Sequence, residues 1–233
     1  MIFVHIGAGA GDLDPKANYR DGFSELVKNH NAKNKEIFVV EANPVNIKKL
    51  ETCWKNYKFA KIFNFAIVAD KIKSKKIRFY YCEEDAPHYQ LFSTDINHIK
   101  RNVPNSKIKS KLIKTIKIQN FMSKNFKKKA IESFSVDVEG GDFDIIMSLD
   151  LRKYDIKNIS LEYLHLNKQQ KYKILKKLIT NGYSYDGFGV DHKNIDWLFK
   201  KKVNTWNNWV SKLMPYIHRK HYKRLNKLLL SNF

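Results

Sequence analysis

The sequence predicts an α/β protein: one doubly wound domain with a mostly parallel sheet, an antiparallel closing strand and a C-terminal helical extension. Three stretches carry this. The chain opens on IFVHIGAGAG, Ile2 to Gly11, an apolar run that stops in alternating glycines. A second short run, Ile37 to Val40, stops in the acid Glu41. A third, SVDVEGGD from Ser135 to Asp142, sets two acids one residue apart before a glycine pair. Strands buried on both faces of a parallel sheet read as continuous apolar runs. In such sheets ligands sit at the carboxyl ends of the strands, where all three stretches carry their polar residues.

The first stretch is a strand feeding a ligand loop. Gly7, Gly9 and Gly11 carry no side chains, so the backbone can turn sharply and its amides can approach a ligand closely. The spacing is not the dinucleotide pattern G-x-G-x-x-G, because Asp12 stands at the third glycine's place, a poor neighbour for a pyrophosphate. Asp14 and Pro15 then read as the cap and first residue of a helix running through Phe23, Leu26 and Val27 to about Lys28.

Glu41 closes the second strand, where a carboxylate can grip a ribose diol with two hydrogen bonds. Asn43 caps the next helix, with Pro44 at its first position, and so fixes the acid at a strand-to-helix corner. Ile47, Leu50 and Trp54 share one face of that helix. KIFNFAIV, Lys61 to Val68, reads as a third strand. Ile77 to Cys82 alternates like a hairpin strand and predicts an antiparallel insertion. Glu83 to Lys111, with Ser93 and Thr94 inside it, reads as a long loop of the kind that covers substrates. Leu112 to Ile118 is an alternating strand and Phe121 to Phe126 a short helix.

In the third stretch, Asp137 and Glu139 fall on one face of a strand that Gly140 and Gly141 break. Paired carboxylates at a ligand edge repel one another, which suits an acid/base pair or a clamp for an ammonium. Asp142 suits the dipole of a following helix. Ile159 to Tyr163 is the next strand. His165 stands in the loop after it, before a helix starting near Lys168, and its neutral-range pKa suits a general base. Gly182 ends that helix, and Tyr183 to Phe188 and Ile195 to Phe199 read as the closing strands.

These boundaries place a domain at 1–202 and an extension at 203–233. In the extension Trp206, Trp209, Val210, Leu213, Met214 and Ile217 recur at helical spacing among basic residues. A basic amphipathic helix with tryptophans can lie on an anionic membrane, or pack on its own domain or a second subunit.

Composition bounds the rest. A chain of 233 residues and 27.5 kDa suits one such domain and its appendage. Two cysteines, Cys53 and Cys82, make no disulfide framework and point to a reducing compartment. Met1 opens directly on the first strand, so the expectation is a cytoplasmic protein without a leader, with peripheral membrane contact through the extension as its one link to a bilayer. The formal charge of +21 would suit a nucleic-acid partner, but the lysines are spread along the whole chain, as in KNHNAKNK and KIKSKK, so charge supports only a weak electrostatic claim.

Taken in order, GAGAGD, VVEANP, NFAIV, SVDVEGGDFDII, ISLEYLH and NGYSYDGFG resemble the FkbM-type methyltransferases, class I enzymes that use S-adenosylmethionine. The resemblance spans roughly Ile2 to Phe199 and implies a seven-stranded, Rossmann-like sheet. It implies that Gly7, Gly9 and Gly11 line the methionine and ribose side of the cofactor, that Glu41, at the corner Asn43 fixes, holds the ribose hydroxyls, and that Phe65 and Ala66 border the adenine. It sets Asp137 and Glu139 at the reacting end; their shared face at the ligand edge assigns Asp137 to hold the cofactor's ammonium or the acceptor and Glu139 as the base, ahead of His165. Three positions depart from the family pattern: His5 replaces an acid two residues before the first glycine, Asp142 a commoner Glu, and Ser135 a Lys.

The resulting expectation is O-methyl transfer to a hydroxyl of a sugar or other small polar acceptor. Two other readings remain beside it: an RNA methyltransferase, motivated by charge, and a non-catalytic cofactor-fold protein that binds a membrane or partner through its tail, motivated by His5. No dedicated metal site is visible, and Asp137, Glu139 and Glu162 are the carboxylates able to meet on a divalent ion.

Overall fold

The computed structural model describes residues 1–13, 21–82, 91–189 and 196–202. The first strand, β1 (Ile2–Ile6), is buried along its whole length. Alternation sends Ile2, Val4 and Ile6 into one apolar cluster and Phe3 into another on the opposite face. Helix α1 (Gly22–Asn29) follows, capped by Asp21, whose side chain accepts the Ser24 N–H. Asp21 therefore does the capping at this helix, and Asp14 and Pro15, expected to open it, lie outside the described residues.

Strand β2 (Glu36–Glu41) ends in the predicted acid. Asn43 then caps a 3-10 turn, Pro44–Asn46, its side chain accepting the Val45 N–H, and the turn runs into α2 (Ile47–Trp54). Leu50 and Trp54 of α2 and Phe23 and Val27 of α1 cover Phe3, Ile37 and Val39.

The third predicted strand is two strands, β3 (Ala60–Asn64) and β4 (Ala66–Val68), which belong to different sheets. The Asn64 side-chain amide donates to the carbonyls of Glu41 and Ala42 at 2.9 and 3.2 Å. Those bonds end the pairing with β2, the chain bends at Phe65, and β4 joins an insertion instead. That insertion comprises β5 (Lys76–Cys82), β6 (Phe92–Ser93), α3 (Ile96–Asn102) and β7 (Ile108–Lys117). Its sheet has the order β4-β7-β5-β6, with β5 antiparallel to β7 as the hairpin pattern predicts. The stretch expected to be a loop up to Lys111 thus holds β6, α3, capped by Asp95, and the start of β7, while 83–90 lie outside the described residues.

The chain then returns to the main sheet through α4 (Ile118–Asn125), β8 (Ala130–Val136), α5 (Asp142–Ser148), β9 (Asp155–Glu162), α6 (Lys168–Thr180), β10 (Tyr183–Phe188) and β11 (Asp196–Lys201). Among the described residues the main sheet has seven strands in the order β10-β11-β9-β8-β1-β2-β3. Strands β1, β2, β3, β8 and β9 are parallel, and β11 is antiparallel to both β9 and β10. Helices α4, α5 and α6 bury Phe121, Met122, Ile145, Ile146, Leu175 and Leu178 against the second face. The expected doubly wound sheet is therefore present, with its ligand edge at the carboxyl ends of β1, β2, β8 and β9. Residues 203–233, expected to form the helical extension, lie outside the described residues. No described helix is long and apolar enough to cross a membrane.

Candidate functional site

A cleft of about 1140 Å3 opens at that edge, between the main sheet and the insertion. It exceeds the roughly 300–1,000 Å3 usual for a single small ligand. Gly7, Gly9, Gly11, Glu41, Phe65, Ala66, Asp137, Glu139 and His165 all line it, so the fold brings nearly every predicted site residue to one place. Asn43 is the exception. It is buried behind the cleft, and its N–H donates to Glu41 Oε1 at 2.6 Å, so it holds the acid in position.

The loop after β1 is tied on both sides. Gly7 N–H donates to Val40 O, and Asp137 N–H donates to Ile6 O, each at 2.9 Å. Gly7 has φ +84°, and a Cβ there would lie 1.5 Å from the Asp137 carbonyl oxygen, so only glycine fits. Gly9 differs: a Cβ on it would meet nothing within 4 Å. Its N–H donates to Glu41 Oε2 at 2.8 Å. Glu41 is 7% exposed, and burial pushes its carboxyl up to about 7, against the Asn43 and Gly9 amides and the nearby His5, which favour the charged form. His5, at the place of the expected acid, is buried against Phe23 with ring centroids 4.5 Å apart and lines the cleft.

At the other end, the acids are not on the strand. Strand β8 stops at Val136, and Asp137 and Glu139 belong to the turn before α5. The reason is Asp142. Its buried carboxylate accepts the Val138 N–H at 3.0 Å and the Gly140 N–H at 3.2 Å, folding the turn back, and Glu139 takes φ +53°, a conformation rare for a side chain of this size. Burial pushes the Asp142 carboxyl up to about 6. Asp142 is thus the staple of the turn more than a counter to the helix dipole.

This turn aims Glu139 at two imidazoles. Its Oε2 lies 3.3 Å from His98 Nε2 and 3.3 Å from His165 Nε2, and the two rings meet edge to face with centroids 4.8 Å apart. His165 Nε2 also lies 3.4 Å from Glu162 Oε1. The hydrogen bond with Glu139 raises the His165 pKa, burial lowers that of His98, and burial reinforced by the charge of Asp142 pushes Glu162 up to about 8. Of the three carboxylates able to meet on an ion, only Glu139 belongs to the metal-capable group among the described residues. The residues gathered are His98, Glu139 and His165.

His98 was not singled out by sequence. Its signal is the cap Asp95 three residues before it, which makes Ile96–Asn102 a helix and puts His98 and Ile99 on its buried side. Asn46 was missed as well. It is 4% exposed, lines the cleft, and its Oδ1 has no hydrogen-bond partner. The insertion supplies an apolar wall from Ile77, Phe79, Leu91 and Phe92. It is pinned to the turn by the Ser93 hydroxyl, which donates to Glu139 O at 3.4 Å.

A glycine loop after β1, an acid closing β2 and a polar cluster beyond β8 and β9 thus meet at the carboxyl edge of a doubly wound sheet, the edge where ligands sit in that class. The chain belongs to the methyltransferase FkbM domain family, whose model matches residues 5–200. Solved structures with a similar fold include two methyltransferases. One is the METTL16 methyltransferase domain, at 10% identity and TM-score 0.44 over 88% of this chain and 61% of that one. The other is precorrin-6y C5,15-methyltransferase from Geobacter metallireducens GS-15, at 13% identity and TM-score 0.41 over 86% and 80%. The chain thus spans less than two thirds of the first of these. No curated protein matches it.

Proposed function

We propose that this protein transfers a methyl group from S-adenosylmethionine to a hydroxyl of a sugar or other small polar acceptor. The observation that carries the reading is that one cleft joins Glu41 and the Gly7–Gly11 loop at one end to Glu139 and His165 at the other. The residues present fit such a cofactor. Gly9 leaves open the space its side chain would take, and Asn46 Oδ1 is a buried acceptor in want of a donor.

In this reading Glu41 accepts from the ribose hydroxyls, the Gly7–Gly11 backbone borders the ribose and methionine, Asp137 takes the ammonium, and Phe65 and Ala66 flank the adenine. The cofactor supplies a methyl carbon on a sulfonium, whose C–S bond breaks as the new O–C bond forms, the electron pair remaining on sulfur. What the chain supplies is alignment and a proton acceptor. The wall of Ile77, Phe79 and Phe92 packs on Ala66 and lines the cleft's apolar side, and Glu139, backed by His165, takes the hydroxyl proton. The basic charge is carried by solvated faces in this account.

The test is to incubate the protein with labelled S-adenosylmethionine and separate panels of sugars and RNA. Label appearing as a methyl ether on a sugar supports the proposal. Label entering RNA alone, with affinity falling steeply as salt rises, replaces it with the nucleic-acid reading.

A further inference from the structure

We propose that His98, Glu139 and His165 bind a divalent first-row transition metal at the acceptor end of the cleft. The placement of the ion beside a reacting hydroxyl rests on the methyl-transfer reading above, whereas the binding itself does not.

Each of the three residues offers one ligand atom, and those atoms lie within 4.8 Å of one another. Metal–nitrogen and metal–oxygen bonds of about 2.0–2.1 Å set neighbouring ligand atoms roughly 2.9–3.4 Å apart, depending on geometry. Glu139 Oε2 already stands 3.3 Å from each imidazole nitrogen, so two edges of a coordination polyhedron are formed before any ion arrives. The two imidazole nitrogens lie within 4.8 Å of each other, and the third edge closes when the partly exposed His165 ring moves inward.

A second observation points the same way. His98 Nε2 is buried and, although 3.3 Å from Glu139 Oε2, makes no hydrogen bond. Glu162 Oε2 is buried and equally without one, and Glu162 Oε1 lies beside His165 as a neighbouring fourth oxygen. Buried polar atoms are seldom left unsatisfied, and an ion here would satisfy that of His98.

The donor set selects the ion. Two imidazoles and a carboxylate suit manganese, iron, cobalt or zinc, whereas magnesium and calcium prefer oxygen throughout. Three ligands from one side leave open positions facing the cleft, where a hydroxyl oxygen can bind and become more acidic. With the ion present Glu139 acts as ligand in place of proton acceptor. The acceptor's proton then leaves to solvent as the O–C bond forms and the C–S bond breaks.

Titration of the metal-stripped chain with Co2+ and Zn2+, without cofactor or acceptor, tests the site. The expected result is one ion per chain at micromolar or tighter affinity, not displaced by millimolar Mg2+, with a visible Co2+ spectrum of nitrogen and oxygen ligation. His98→Ala should weaken binding by more than the roughly 10–100-fold typical of an outer-shell partner. Should that variant misfold, the ring signals of His98 and His165 in the unsubstituted protein should still shift on adding Zn2+. Binding only above millimolar, binding that survives His98→Ala in a folded chain, or unmoved ring signals would overturn the site. Metal binding without methyl transfer to any acceptor would leave the site standing and remove the reaction.

Discussion

Glu41 Oε2 accepts a hydrogen bond from the Gly9 N–H at 2.8 Å, so the acid closing β2 and the glycine loop leaving β1 form one unit. A ligand that engages either must meet both. The acid is also held at a cost, because burial raises its carboxyl from the ordinary 4.5 to about 7.

That cost gives a pH dependence with a definite sign. The folded chain binds this proton more tightly than the unfolded one, so the stability the group contributes is whole below about pH 4.5 and is lost as pH rises through about 7. The difference is on the order of 3 kcal/mol, at about 1.36 kcal/mol per pH unit. Denaturant unfolding should show the advantage of wild type over Glu41→Ala larger near pH 5 than near pH 8. An advantage that grows with pH would contradict the burial argument.

The two neighbouring glycines should behave differently when given a methyl group. Gly7→Ala drives a Cβ into the Asp137 carbonyl and so separates β1 from the turn after β8, at a cost above the roughly 1–3 kcal/mol of ordinary overpacking. Gly9→Ala meets nothing and pays only about 1–2 kcal/mol for its left-handed backbone. Thermal unfolding should therefore rank Gly7→Ala well below Gly9→Ala, while both lose cofactor affinity. Equal melting temperatures would show that the close approach at Gly7 is relieved elsewhere.

Asp142 should matter to the turn it closes. Asp142→Ala leaves the Val138 and Gly140 amides without their acceptor, a loss of about 2 kcal/mol or more in unfolding free energy. Because the same turn carries Glu139, turnover should fall even where the variant remains folded. Normal turnover in a folded Asp142→Ala protein would show that Glu139 is positioned by something else.

The acceptor end is tested by Glu139→Gln, which should keep the fold and cofactor binding but lower turnover on the true acceptor by roughly 10²-fold or more. If Glu139→Gln stays within a few-fold of wild type while His165→Ala does not, the proton acceptor is His165.

How much of this was legible in the sequence follows from what kind of signal each part leaves. The loop at Gly7, Gly9 and Gly11 and the acid Glu41 closing the second strand are local patterns, and the structure brings them to one cleft. The break inside KIFNFAIV is not local: it depends on the Asn64 amide reaching the carbonyls at the end of β2. Asp137 and Glu139 were expected on a strand because their spacing alternates, but the Asp142 carboxylate pulls the backbone out of it. The Asp95 cap marks the helix that carries His98, but nothing local pairs it with Glu139, which it meets only after the insertion folds over the sheet.

The most direct test of the account is titration calorimetry of S-adenosylmethionine into the wild type and a folded Glu41→Ala variant. The account predicts binding by wild type and a loss of about 2–3 kcal/mol in the variant, the range for removing a charged hydrogen-bond partner. Unchanged affinity in the variant would remove Glu41 from the cofactor site, and absence of binding by wild type would contradict the account as a whole.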